Sequence, residues 1–79
     1  MTNNIRYACI IGEAEQVAAY LPDNYRVIAT GKAWDRPSVY IAGEDNAGWT
    51  LEGYVLPRLA SGLYTGQEVE HPGERIDLP

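Results

Sequence analysis

One cysteine in 79 residues excludes an intrachain disulfide, and one histidine excludes a His-rich metal site. Six Lys and Arg against eleven Asp and Glu give a net charge of −5 with no basic cluster, which excludes direct binding to a phosphate backbone. No apolar run approaches the length of a membrane-spanning helix. The start, MTNNIRYACII, lacks the basic residues and longer apolar core of a signal peptide, so a cytoplasmic protein is expected, with no membrane partner. Seventy-nine residues leave room for one small domain, in which most aliphatic side chains must share a single core.

The chemistry of catalysis is also missing. Ser38 and Ser61 have no motif around them, and no base and orienting group accompany either. Cys9 lies within an apolar run and reads as a small buried side chain rather than a reactive thiol. His71, beside Glu68 and Glu70, has no second histidine or usable thiol to complete a tetrahedral site. Glu44 and Asp45 are adjacent, so their side chains diverge in extended backbone and do not form a catalytic carboxylate pair. No enzyme activity, cofactor or metal is expected.

What is present centres on residues 38–62, SVYIAGEDNAGWTLEGYVLPRLASG. The apolar run Val39 to Ala42 predicts a strand, a Gly-rich acidic turn follows, and helical spacing runs to Gly62. Glycines between a strand and a helix suit a phosphate, yet here Glu44 and Asp45 occupy the anion's place, and the spacing is neither G-x-G-x-x-G nor a P-loop. Thr50 is a candidate N-cap, with Asp45 or Asn46 as the alternative for an earlier start. Trp49 and Leu51 are expected to anchor the helix in the core. Pro57 removes a backbone hydrogen bond and crowds the carbonyl of Gly53, predicting a kink or two helical pieces that meet at Leu56 and Pro57. Gly62 is the expected left-handed residue that ends the helix.

Upstream, residues 5–11 (IRYACII) predict a central strand, ended by Gly12. Ala14, Val17, Ala18 and Leu21 form one stripe of a helix over 13–21, with Glu13 and Glu15 in its first turn and Pro22 as its stop. Residues 25–30 (YRVIAT) predict a second strand, and GKAWDRPS breaks the pattern before the third, a hairpin with Trp34 near its tip. Trp34 either folds back over the hairpin or stands out as an aromatic anchor between Lys32 and Arg36. Beyond Tyr64 the apolar density falls. Residues 65–79 hold Glu68, Glu70, Glu74 and Asp77 against Arg75, net −3, and predict a partly ordered acidic tail, either without strands or with a short edge strand over Gln67 to Glu70 through Val69.

The predicted fold is α+β: a sheet of three or four strands against two helices, in the order β-α-β-β-α, with residues 1–64 as the domain and 65–79 as the tail. The third strand lies either between the first two or outside the second. On the helix from Leu51, the arc of Leu51, Val55, Leu56, Leu59 and Leu63 is expected to face the sheet. The opposite arc has neither Lys nor Glu. It offers Gly53, Tyr54, Pro57, Arg58, Ala60 and Ser61, with Trp34 and Arg36, as a candidate interface for another protein or a second copy of this chain. The alternative is a small-ligand site at the turn of Glu44, Asp45, Asn46 and Trp49, by analogy with strand-to-helix crevices.

At IAGEDNAGWTLEGYVLPRLASGL, and more loosely at IIGEAEQVAAYLPDNYRV, the chain is similar to small proteins of uncharacterised activity from actinobacteria and their phages. The resemblance covers about two thirds of the length. It implies an accessory or host-interacting protein rather than a metabolic enzyme, and it assigns no site residues.

Overall fold

The apolar run at the start of the chain becomes strand β1, Ile5–Ile11, in the computed structural model, which describes residues 5–70. Alternation gives it two different faces. Ala8 and Ile10 are fully buried, while Tyr7, Cys9 and Ile11 on the other side are half-buried. Helix α1 is only Ala14–Ala18, shorter than the apolar stripe predicts. Leu21 precedes Pro22, and a residue before proline is pushed out of helical backbone. The helix therefore closes with tight bonds from the Tyr20 N–H to the Val17 carbonyl (2.9 Å) and from the Leu21 N–H to the Ala18 carbonyl (3.1 Å). Val17 still enters the core.

Strands β2 (Tyr25–Ala33) and β3 (Arg36–Glu44) form the hairpin, and both run farther than their apolar cores. Gly31 and Pro37, read from sequence as breakers, pair with Ser38 and Lys32. Proline is tolerated there because its ring removes only an N–H; its carbonyl still accepts the Gly12 N–H at 2.8 Å, just beyond the end of β1. A register shift between Val27 and Ala29 leaves Ile28 as a bulge in β2. The turn is Trp34 and Asp35, with φ of 52° and 62°. Positive φ at both central residues matches the right-handed twist of the strands, and it is usually supplied by Asn and Gly rather than by tryptophan.

Thr50 caps the next helical segment, its Oγ1 accepting the Gly53 N–H at 3.0 Å. A π-helical turn, Leu51–Val55, passes into helix α2, Leu56–Ser61, with Pro57 in the first turn of α2. This is the expected junction at Leu56 and Pro57. Backbone stays helical through Val55 and Leu56, so Pro57 interrupts the hydrogen-bond ladder of a continuous run, and the wider π-helical turn lies directly before it. The end of α2 differs from expectation. Gly62 has φ −95°, and Leu63 takes the left-handed position at φ 70°. Gly62 instead lets the Tyr20 ring approach closely, since a Cβ there would lie 2.6 Å from Tyr20 Cζ and the far end of that ring would have to shift. Because the helix has already ended, Leu63 leaves the sheet-facing arc and is 92% exposed, whereas Leu51, Val55 and Leu59 are buried as predicted.

Gly66–Val69 is strand β4, antiparallel to β1. The first part of the predicted tail thus belongs to the sheet; residues 71–79, His71 among them, lie outside the described residues. The strand order is β2-β3-β1-β4, all neighbours antiparallel, so β3 takes the position between the first two strands. The result is a small α+β fold with one core. Ala8, Ile10, Val39, Ile41 and Tyr25 from the sheet meet Val17, Leu51, Val55 and Leu59 from the helical layer.

Candidate functional site at the helix-free sheet face

Residues paired directly across antiparallel strands share a face. The pairs Ala8–Ile41 and Ile10–Val39 point to the helices; Tyr7–Ala42, Cys9–Tyr40 and Ile11–Ser38 therefore point away from them. Val69, opposite Tyr7, and Ala29, opposite Tyr40, extend this second face to both sheet edges. None of the described helices packs on it. Its central strand is nonetheless apolar and tightly surrounded: Ser38, Tyr40 and Ala42 are buried. Cys9 is half-buried rather than enclosed, a correction to its predicted burial. Burial pushes its thiol pKa up, offset in part by hydrogen bonding with Tyr40 and Ser38.

The hairpin tip overhangs one end of this face. Trp34, which the sequence left between folding back and standing out, is 87% exposed. With Cys9, Ile11, Tyr40, Gln67 and Val69 it lines a groove of about 230 Å³. Arg36 flanks it, opposite Ala33 in register.

The structure divides the predicted interface in two. Gly53, Pro57, Arg58, Ala60 and Ser61 are exposed on the helical layer, away from the groove that Trp34 lines. Tyr54 is half-buried and meets Trp49 edge to face, with ring centroids 4.6 Å apart. The Arg58 guanidinium lies 5.8 Å from the Tyr20 ring and 5.9 Å from the Tyr54 ring, a cation–π arrangement that holds it on its own helix. The larger side chains of that arc are thus engaged within the chain.

The predicted ligand turn is also engaged. Asp45 accepts from Arg6 Nη1 (2.8 Å), Tyr25 Oη (2.6 Å) and the Leu51 N–H (2.8 Å). Arg6 holds both Glu68 carboxylate oxygens, through Nε at 2.9 Å and Nη2 at 2.8 Å, and its Nη2 lies 3.5 Å from Glu52. Asn24 donates to the carbonyls of Glu44 and Trp49, and the Trp49 N–H donates to the Asn46 carbonyl. These contacts tie β1, β4, β2 and the start of the π-helical turn together. What remains is a depression of about 450 Å³, lined by Pro22, Asp23, Asn24, Asn46 and Trp49 and open to solvent. Among the described residues, no group of three or more His, Cys, Asp or Glu could hold a metal ion.

Trp49 corrects a second expectation: at 43% exposure it is a lid on Tyr54, and Leu51 alone anchors the segment in the core. Trp49→Ala should therefore cost about 1–2 kcal/mol, the value of a partly buried aromatic pair rather than of a buried tryptophan. A urea titration that gave a loss as large as that of a core deletion would contradict this placement. The Arg6 cluster had no signal in the sequence, because Asp45 and Glu68 are 39 and 62 positions away from Arg6. No family model, no curated protein and no solved structure matches this chain.

Proposed function

We propose that this protein is a non-enzymatic interaction module, with an accessory or regulatory role exercised by contact between its helix-free sheet face and another polypeptide. The observation that supports this most directly is Trp34. A large apolar side chain is held almost wholly in water, on backbone that tryptophan rarely adopts, beside an apolar groove. Exposure and unfavourable φ both work against the isolated fold, so a contact role accounts for features that stability does not. The turn at Glu44, Asp45, Asn46 and Trp49 is the weaker reading for a ligand, since hydrogen bonds within the chain already occupy Asp45.

Trp34→Asn separates function from folding. Asparagine accepts positive φ, so the variant should be about 0.5–1 kcal/mol more stable than the wild type. It should also fail to retain whatever polypeptide, of the same or another sequence, the wild type retains in an affinity pull-down. Capture that is indifferent to Trp34→Asn would exclude the hairpin tip from the contact, and a small molecule recovered in its place would favour the ligand reading.

A further inference from the structure

We infer that residues 71–79 of the same chain cover the centre of the helix-free face, laying Ile76 and Leu78 over Tyr40 and Ala42, while the Trp34 end stays open. Tyr40 is the first argument. Its neighbours on this face are Cys9 and Ala29 across the sheet and Ser38 and Ala42 along β3, all too small to enclose a phenol ring. Side chains of one sheet face stand beside one another rather than on top, and none of the described helices packs on this side. A ring so placed keeps its outer side in water. Yet Tyr40 is only 7% exposed, and Ser38 and Ala42 are buried with it. The cover therefore comes from chain outside residues 5–70.

The path of the chain is the second argument. Val69 stands opposite Tyr7, so β4 ends beside the row of Tyr7 and Ala42, next to Tyr40 on this face. Pro72 and Gly73 suit a reversal there. Nine residues reach at most about 30 Å, and the three strand spacings from β4 to β2 are about 14 Å, so the segment spans the face with length to spare. In extended backbone Ile76 and Leu78 share one side. Residues 1–4, the other chain outside 5–70, offer Met1 alone.

Charge is the third. By register, the charged residues of this face among those described are Arg26, Arg36 and Glu44, two cations and one anion at its margins. Residues 71–79 hold Glu74 and Asp77 against Arg75, the opposite balance. A segment that crosses from β4 to β2 brings those carboxylates toward Arg26, which is exposed and stands opposite Ala42. This cover goes beyond the interaction reading and does not depend on it, since it closes the centre of the face and leaves Trp34 to a partner.

Nuclear Overhauser spectra of the full chain test the cover directly. The Tyr40 ring protons should show cross-peaks to the methyls of Ile76 and Leu78, with intensities independent of protein concentration. Combining Ile76→Asp with Leu78→Asp should remove the cross-peaks and leave cooperative unfolding intact. Cys9, beside Tyr40, should then react with a thiol reagent roughly tenfold faster than in the wild type, the effect of two aliphatic side chains holding down a short segment against its ordering entropy. Cross-peaks from Tyr40 to Met1 instead would assign the cover to residues 1–4 and overturn the inference. A Tyr40 ring with no cross-peak beyond residues 5–70 would overturn it too, as would contacts that strengthen with concentration and so belong to another copy. An unchanged Cys9 rate in a folded double variant would do the same. No partner enters these measurements, so the interaction reading stands or falls separately, on Trp34→Asn.

Discussion

Gly43→Ala is expected to destabilise the protein by about 3 kcal/mol or more, although it adds only one methyl group. Gly43 sits in β3 between Arg6 on β1 and Tyr25 on β2. A Cβ there would land on the Asn24 carbonyl oxygen and come within 2.6 Å of Tyr25 Cγ. A flexible side chain could yield, but a backbone oxygen and the base of a buried ring cannot without opening the hairpin. Chemical denaturation measures the effect directly. A variant within about 0.5 kcal/mol of wild type, the range of an innocuous surface change, would mean that β2 and β3 can separate at this point.

Asp45→Ala should cost about 3 kcal/mol, because it strands the Leu51 N–H and the Tyr25 hydroxyl and removes one of the carboxylates on Arg6. The same site sets the acid limb of stability. Desolvation raises the Asp45 pKa, but hydrogen bonds from Tyr25, the Leu51 N–H and Arg6 outweigh it and hold the group below its usual value. Glu68 is lowered chiefly by its hydrogen bond with Arg6. A carboxylate whose folded pKa is depressed contributes its full stability above the unfolded value of about 4, and that contribution is lost as the pH falls through the folded pKa. Wild type should therefore lose stability below about pH 4, and the gap between wild type and Asp45→Ala should narrow there. A gap of constant size between neutral and acid pH would show that the ionised form of Asp45 contributes nothing.

Much of the fold was legible locally. The β1 run, the hairpin around Trp34, the Thr50 cap and the break at Pro57 each rest on a few neighbouring residues, and each stands in the structure. The errors have equally local causes. Helix α1 is cut short by the residue before Pro22, and Leu63 leaves the helix one residue after Gly62. The candidate site was legible only in pieces. Trp34 and Arg36 were visible as residues, but their neighbours Cys9, Ile11, Gln67 and Val69 come from strands at both ends of the chain.

Local pattern was enough to place β1 as a central strand and to pick out the buried stripe of Leu51, Val55 and Leu59, because periodicity and backbone propensity act over a few residues. Packing set the rest: that β3 lies between β1 and β2, that β4 covers the outer edge of β1, that Tyr7, Cys9 and Tyr40 fall on the side away from the helices, and that Asp45 is held by Arg6 and Tyr25. It also decided which side of the sheet the helices cover. Strand pairing and ion pairing join residues tens of positions apart, and their partners are chosen by how the core packs rather than by any local pattern.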